Sequence, residues 1–120
     1  MANILIVDDS PTQVANLSKI LEPKGHKINV ATNGEEGIAA ARAQNPDLIL
    51  MDVVMPGLNG FQATRKLSRD PETEDIPIIL VSTKDQETDR IWGLRQGARG
   101  YLVKPPDEAE LIKLINELLG

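Results

Sequence analysis

The sequence predicts an α/β domain of the doubly wound class, in which helices cover both faces of a five-stranded parallel sheet. Short aliphatic runs, which are typical of strands buried on both faces, alternate five times with segments of helical character. The segments between successive strands are long enough for a helical crossover, which a parallel pair of strands requires. With 120 residues, the chain can bury one substantial hydrophobic core.

The predicted elements follow from these runs in chain order. Aliphatic clusters bounded by turn residues predict five strands, at Asn3–Val7, Lys27–Ala31, Asp47–Met51, Ile76–Val81 and Gly100–Val103. The intervening and final segments predict five helices, at Thr12–Leu21, Glu35–Gln44, Gly60–Ser68, Gln86–Gln96 and Asp107–Leu119.

Turn and capping residues justify several of these boundaries. Pro23 disfavours helical geometry at Glu22, so the first helix is predicted to end there. Asn45-Pro46 is a turn signal before the third strand. Asp107, with a glutamate three residues later, has the spacing of a capping box at the start of the last helix.

The composition excludes several classes of protein. The chain has no cysteine, so it can form neither a disulfide nor a thiolate metal site. A formal net charge of −5, without a run of lysine or arginine, disfavours a nucleic-acid partner. No apolar stretch approaches the roughly 20 residues that span a bilayer, and no signal segment is recognisable. We therefore expect a cytoplasmic protein without membrane insertion.

Three aspartates end buried strands at one predicted edge of the sheet. Asp8 and Asp9 follow the first strand, and Asp52 follows the third. If these strands are neighbours, the carboxylates share a pocket at the carboxyl edge, where open α/β folds bind ligands. Like charges so close favour a hard divalent cation, and Mg²⁺ prefers oxygen ligands. An aspartate beside such a metal can act as a nucleophile towards phosphorus.

Two donor side chains end the fourth and fifth predicted strands at the same edge. Ser82 ends the fourth strand and Lys104 the fifth, and a hydroxyl and an ammonium are suitable donors to phosphoryl oxygens. Each residue alone has a simpler explanation, because aspartate and serine commonly cap helices and most lysines are solvated. The combination at one sheet edge, and not any single member, indicates phosphate chemistry.

These motifs match a known family. Its marks stand here as Asp8-Asp9, Asp52 with Met55-Pro56 and Gly60 behind it, Ser82, and Lys104-Pro105. On these residues the chain resembles the receiver domain of two-component response regulators over its whole length. The resemblance implies a flavodoxin-like sheet of order 2-1-3-4-5. It also implies that residues 1–120 form a single receiver domain with no effector domain.

The resemblance implies a role for each residue of the predicted site. Asp52 would be the phosphoacceptor, and Ser82 and Lys104 would hold the phosphoryl oxygens. The cofactor would be Mg²⁺ or Mn²⁺. Its implied ligands are the carboxylates of Asp9 and Asp52 and the backbone carbonyl of Val54, with Asp8 bound mostly through water.

The resemblance also implies how the signal is made and ended. Ser82 and Tyr101 would form the switch, and Val54 and Lys84 stand at the positions that tune dephosphorylation. The output surface of the family is the face made by the fourth helix, the fifth strand and the fifth helix. An apolar Val54 cannot orient an attacking water, so we expect slow self-dephosphorylation.

The implied function is a phosphoacceptor switch that catalyses only its own phosphorylation and dephosphorylation. Its phosphodonor would be a histidine kinase, and a pilus motor or a kinase is a candidate downstream partner. The stretches 55–65 and 83–89 are similar to single-domain regulators of twitching motility, which implies a chemotaxis-like pathway controlling type IV pili. The sequence leaves open whether the protein is a monomer or a weak homodimer.

The residues leave three alternative functions to be weighed. A degenerate receiver would bind partners without phosphorylation. A phosphohydrolase of the haloacid dehalogenase type would need a second acid two residues after the nucleophile, where this chain has Val54. A flavin or nucleotide binder would need a turn rich in glycine, serine or threonine after the first strand, where this chain has two acids.

Overall fold

The computed structural model describes residues 2–120 and contains one five-stranded parallel sheet. The strand order is β2-β1-β3-β4-β5, which confirms the expected topology. The strands are β1 (Asn3–Val7), β2 (Lys27–Ala31), β3 (Leu48–Met51), β4 (Ile78–Ser82) and β5 (Gly100–Val103). The helices are α1 (Pro11–Leu21), α2 (Gly34–Gln44), α3 (Gly60–Arg69), α4 (Glu87–Arg95) and α5 (Glu108–Leu119).

Alternate strand residues pack into two hydrophobic clusters, one on each face of the sheet. In β1, Leu5 and Val7 belong to the cluster that α2 and α3 cover, whereas Ile4 and Ile6 belong to the cluster that α1 and α5 cover. This alternation explains the continuous aliphatic runs, because both faces of the central strands must be apolar. None of the helices in residues 2–120 has the length and apolarity needed to cross a membrane.

The register of the sheet aligns the ends of the strands that carry the candidate site. Val7 of β1 pairs with Met51 of β3, so the residues that follow them leave the sheet side by side. Ser82 of β4 pairs with Val103 of β5 at the same edge. The first and third strands are therefore adjacent in the sheet, as predicted.

Three strand boundaries differ from the prediction, and one of them is the end of β4, which lies at Ser82 and not at Val81. β4 begins at Ile78 and not at Ile76, because the Ile76 amide donates to the carbonyl of Thr73 in a turn and Pro77 has no amide hydrogen. β3 begins at Leu48, one residue later than predicted. The preceding Asp47 accepts a hydrogen bond from the Asn3 amide at 2.8 Å through its side chain.

Helix ends follow the capping chemistry, with one exception at Pro23. Asp107 caps α5 by accepting from the Glu110 amide at 2.9 Å, so the helix begins one residue later than predicted. Helix α1 ends at Leu21 as predicted, but Pro23 does not keep Glu22 out of helical geometry, since Glu22 has φ −59° and ψ −42°. The chain continues beyond α1 as a short 3₁₀ turn and reverses at Gly25, where φ is +88°.

Candidate functional site

Three aspartate carboxylates meet at the carboxyl edge of the sheet. One side-chain oxygen from each of Asp8, Asp9 and Asp52 lies within 4.8 Å of the other two. Asp8 and Asp52 are 2% and 8% exposed, whereas Asp9 is exposed. The Asp52 amide donates to the carbonyl of Val7 at 2.8 Å, which fixes the third carboxylate beside the first two. The sheet thus brings together the three carboxylates that the sequence predicted.

The ammonium group of Lys104 bridges two of these carboxylates. Its Nζ lies 2.8 Å from Asp8 Oδ2 and 3.2 Å from Asp52 Oδ1, and its side chain is almost fully buried. Lys104 directly follows β5, and the peptide bond that joins it to Pro105 is cis. A charge-assisted pair of this kind fixes the direction of the lysine side chain.

The site carries more negative charge than Lys104 can balance. Burial raises the pKa of Asp52, and the nearby charge of Asp8 raises it further, against the opposing effect of Lys104. Three carboxylates against one ammonium suit a divalent cation, and carboxylate oxygens are the hard ligands that Mg²⁺ prefers. The donor set therefore fits the predicted metal.

The loop between Asp52 and α3 is held from both ends. The Gly60 amide donates to the carbonyl of Val53 at 2.8 Å, and a Cβ on Gly60 would lie 2.1 Å from the Asp52 carbonyl oxygen. Asn59 and Gln62 form a reciprocal capping box, with both hydrogen bonds at 2.9 Å. Only a glycine permits this approach of α3 to the backbone of the candidate phosphoacceptor.

Two predicted positions lie outside the buried part of the cluster. The Val54 side chain is 60% exposed, in the loop just beyond Asp52. Lys84 is also exposed, and its Nζ lies 3.7 Å from Asp89 Oδ1 at the start of α4. Both side chains can therefore meet a reactant that approaches from solvent.

Ser82 and Tyr101 are joined through the backbone of Lys84. Ser82 is fully buried, and its hydroxyl accepts a hydrogen bond from the Lys84 amide at 3.1 Å. The Tyr101 hydroxyl donates to the Lys84 carbonyl at 2.8 Å, and burial raises the pKa of Tyr101. Within residues 2–120, the hydrogen bonds of the Ser82 hydroxyl do not include one to Asp52.

The geometry agrees with the sequence analysis for the position of most site residues, while their roles remain predictions. Lys104 and the three aspartates are in one cluster, and Ser82 lies at the same edge of the sheet. Sequence reasoning missed the capping box before α3, although Asn59 followed three residues later by Gln62 has the required spacing. It also missed the Ser10 amide, which donates to Asp8 Oδ1 at 2.9 Å.

Comparison with known proteins identifies relatives along the whole chain. The family model for the response regulator receiver domain matches residues 4–116. Protein PilH from Pseudomonas aeruginosa strain PAO1 is 61% identical over 120 residues, which are 100% of this chain and 99% of that protein.

Two solved structures show the same architecture. A putative response regulator from Chloroflexus aurantiacus has a TM-score of 0.94 and 30% identity, with 98% of this chain and 97% of that chain covered. The receiver domain of sensor histidine kinase PA1611 from Pseudomonas aeruginosa has a TM-score of 0.91 and 30% identity, with 99% and 98% covered. In that structure a magnesium ion is coordinated in the active site cleft.

Receiver domains are signalling modules that bind Mg²⁺ at a cluster of aspartates, and this chain has such a cluster. The family match, the similarity to PilH and the common fold agree with one another. The chain belongs to the family of response regulator receiver domains of two-component signalling.

Proposed function

We propose that this protein is a phosphorylation switch in which Asp52 accepts a phosphoryl group from a histidine kinase. One observation carries the proposal: the nearly buried Asp52 carboxylate is in contact with the Lys104 ammonium and lies beside two further carboxylates. A nucleophile, a fixed positive charge and a candidate metal site therefore occupy one small volume. These are the elements that phosphoryl transfer to a carboxylate requires.

The transfer exchanges one bond to phosphorus for another. An oxygen of Asp52 attacks the phosphorus of a phosphohistidine, the P–O bond forms as the P–N bond breaks, and the departing imidazole takes a proton from solvent. Lys104 keeps a phosphoryl oxygen neutralised without moving far from its present place between Asp8 and Asp52.

The metal would be held by four groups of the chain. Asp9, Asp52 and the backbone carbonyl of Val54 would bind it directly, and Asp8, whose two carboxylate oxygens pair with the Ser10 amide and Lys104, would bind it mostly through water. When bound, Mg²⁺ supplies charge neutralisation and polarisation of the phosphoryl oxygens. Mn²⁺ prefers the same oxygen ligands and would substitute for it.

The hydrogen bonds around Lys84 support a route for the signal. The Ser82 hydroxyl accepts from the Lys84 amide, and the Lys84 carbonyl accepts from Tyr101. If the Ser82 hydroxyl turns to donate to a phosphoryl oxygen, the loop before α4 loses one contact and Tyr101 is released from its partner. The surface of α4, β5 and α5, where Trp92 is 49% exposed, would then change its affinity for a partner.

The similarity to PilH supports a place in type IV pilus motility. We propose that the protein carries or removes phosphoryl groups in a chemotaxis-like pathway and has no substrate other than its own Asp52. Its direct partners would be the donor kinase and one downstream protein.

Phosphorylation by a small-molecule donor tests the proposal directly. The protein is incubated with acetyl phosphate, with and without Mg²⁺, and its intact mass is recorded beside an Asp52→Asn variant. We expect a single phosphoryl increment that depends on the metal and is absent from the variant. A matched pair, Lys104→Met and Lys113→Met, separates the buried lysine from an exposed one on α5, and only the first is expected to suppress the increment.

Two results would contradict the proposal. An increment retained in Asp52→Asn would place the modification elsewhere. No increment from acetyl phosphate or from a panel of histidine kinases, in a protein whose circular dichroism shows the native fold, would instead indicate a receiver that binds partners without phosphorylation.

A further inference from the structure

A groove of about 660 Å³ lies between α2 and α3, away from the carboxylate cluster. Two partly buried apolar side chains form its floor, Ile38 from α2 and Leu58 from the loop before α3. An apolar floor that is only partly covered can bury a further aliphatic side chain of a bound molecule.

The rim of this groove is basic, although the whole chain is acidic. Four of the chain's 13 lysines and arginines line it, but only one of its 18 acidic residues does. The four cationic side chains are those of Arg42, Arg65, Lys66 and Arg69. The protein as a whole has a net charge of −5 and repels anions. The local excess of positive charge on the rim can nevertheless attract a small anionic group to the groove.

Among residues 2–120, only one of the four cations is neutralised by a neighbouring side chain. Arg42 Nε lies 2.6 Å from Asp70 Oδ2, and the Glu72 amide holds the other carboxylate oxygen at 3.0 Å. These two partners hold the pKa of Asp70 below its usual value, so that its charge persists. The ion pairs found in the described part of the chain include none of the other three cations, all of which are exposed.

The spacing of the free cations fits carboxylates on a polypeptide. Arg65 and Arg69 are one helical turn apart on α3, about 6 Å along the helix axis. Acidic side chains at positions i and i+4 of a helix have this spacing, and positions i and i+2 of a strand are about 6.6 Å apart. Lys66 lies between the two arginines in sequence and provides a third donor.

Other anions fit the groove less well. None of the described residues that line it is aromatic, so a nucleic-acid base would find no stacking partner. An extended polyanion or an anionic membrane would also bring many negative charges close to a chain of net charge −5. A short acidic segment brings few charges and can place an aliphatic side chain on the floor.

We propose that the α2–α3 groove docks an acidic segment of a partner protein. Two or more carboxylates of the segment pair with Arg65, Lys66 and Arg69, and one aliphatic side chain packs on Ile38 and Leu58. The groove is a surface separate from α4, β5 and α5, so that the protein can hold one partner while its switch face engages another.

A binding experiment on the intact protein tests this docking site. The probes are a panel of twelve-residue peptides with one leucine and three glutamates at helical or alternating spacing, each with a counterpart in which glutamine replaces glutamate. The ¹⁵N-labelled protein is titrated at 150 mM salt, with amide shifts as the readout. We expect at least one acidic peptide to shift amides of α2 and α3, at least tenfold more tightly than its glutamine counterpart.

A pair of charge-matched variants provides the control. Arg65→Glu with Arg69→Glu is expected to weaken this binding at least tenfold. Lys19→Glu with Lys113→Glu, at exposed positions on α1 and α5, changes the net charge equally and is expected to leave it unchanged. Three results would overturn the proposal: no acidic peptide that binds better than its counterpart, equal weakening by both variants, or tighter binding of phosphatidylglycerol vesicles or an oligonucleotide to the groove.

Discussion

Asp52, the proposed phosphoacceptor, differs in its ionisation from a carboxylate that serves stability. Its pKa is raised although Lys104 lies 3.2 Å away, because burial and the charge of Asp8 outweigh the ammonium. A carboxyl group with a raised pKa binds its proton more readily in the folded than in the unfolded protein. Above both pKa values, its negative charge therefore opposes folding, and this contribution is relieved as the pH falls.

Val54 is the residue at which we expect the phospho-lifetime to be set. Its exposed apolar side chain has no group that could orient a water molecule towards an acyl phosphate on Asp52. We expect Val54→Asn to shorten the lifetime by about tenfold, which corresponds to about 1.4 kcal/mol in the barrier. The measurement is the decay of the phosphorylated mass after the donor is removed.

The control for this prediction is Val103→Asn, a change at another exposed valine that lies on β5. The phosphorylated form of this variant should have the same lifetime as the phosphorylated original protein. If the phosphorylated original protein decays as fast as the phosphorylated Val54→Asn variant, a feature other than Val54 limits hydrolysis.

At the scale of elements, the contact between α3 and the end of β3 sets the geometry of the site. Gly60→Ala places a methyl group against the Asp52 carbonyl, where only backbone could yield. We expect a loss of about 3 kcal/mol of unfolding free energy, measured by guanidinium denaturation. Phosphorylation by acetyl phosphate should fall as well.

Gly37→Ala on α2 is the matched comparison. Its added methyl would meet both side-chain methyls of the buried Val7 at 2.9 Å, so a side chain and not the backbone would have to move, and alanine favours the helix by up to about 1 kcal/mol. We therefore expect a clearly smaller loss of stability than for Gly60→Ala. If both variants lose the same amount of unfolding free energy, the backbone contact at Gly60 contributes no more to stability than the side-chain contact at Gly37.

The elements show where local sequence signals succeed and where they fail. Strands were located well because a buried parallel strand must be apolar on both faces, and Asp107 was located because its capping partner is three residues away. Pro23 predicted the end of α1 at Leu21 correctly, but the preference that it imposes on Glu22 is weak, and the chain continues there as a 3₁₀ turn. The start of β4 depended on a turn hydrogen bond at Thr73 that no periodicity reveals.

At the scale of the whole molecule, metal binding should stabilise the fold. The carboxylates of Asp8, Asp9 and Asp52 come together only in the folded chain, so a cation held by them favours the native state. A tenfold excess of Mg²⁺ over its dissociation constant would add about 1.4 kcal/mol. For a chain of this length we expect the melting temperature to rise by roughly 3–6 °C.

The variants for this measurement differ in one exposed carboxylate. Asp9→Asn should lose most of the Mg²⁺-dependent rise, whereas Glu117→Gln on α5 should retain it at the same ionic strength. A rise of the same size in both variants would show that the cation acts on the surface charge of the chain in general.

The sequence predicted the members of the site better than their contacts. Strand ends are local features, and so Asp8, Asp52, Ser82 and Lys104 could be placed at one edge of the sheet from the order of residues alone. That Lys104 bridges two carboxylates, and that Ser82 and Tyr101 share Lys84, depends on side-chain directions that no spacing encodes. The α2–α3 groove was missed because its basic residues look like ordinary solvated surface.

The bridge formed by Lys104 has a consequence for how the molecule matures. Lys104 lies 96 residues from Asp8 and 52 from Asp52 in the chain, and parallel sheets built from contacts so distant in sequence fold slowly. During synthesis, the aspartates leave the ribosome long before the lysine does. A half-made or partly unfolded chain therefore has the acids without their counter-charge, and the phosphorylation that we propose for Asp52 would require the completed fold.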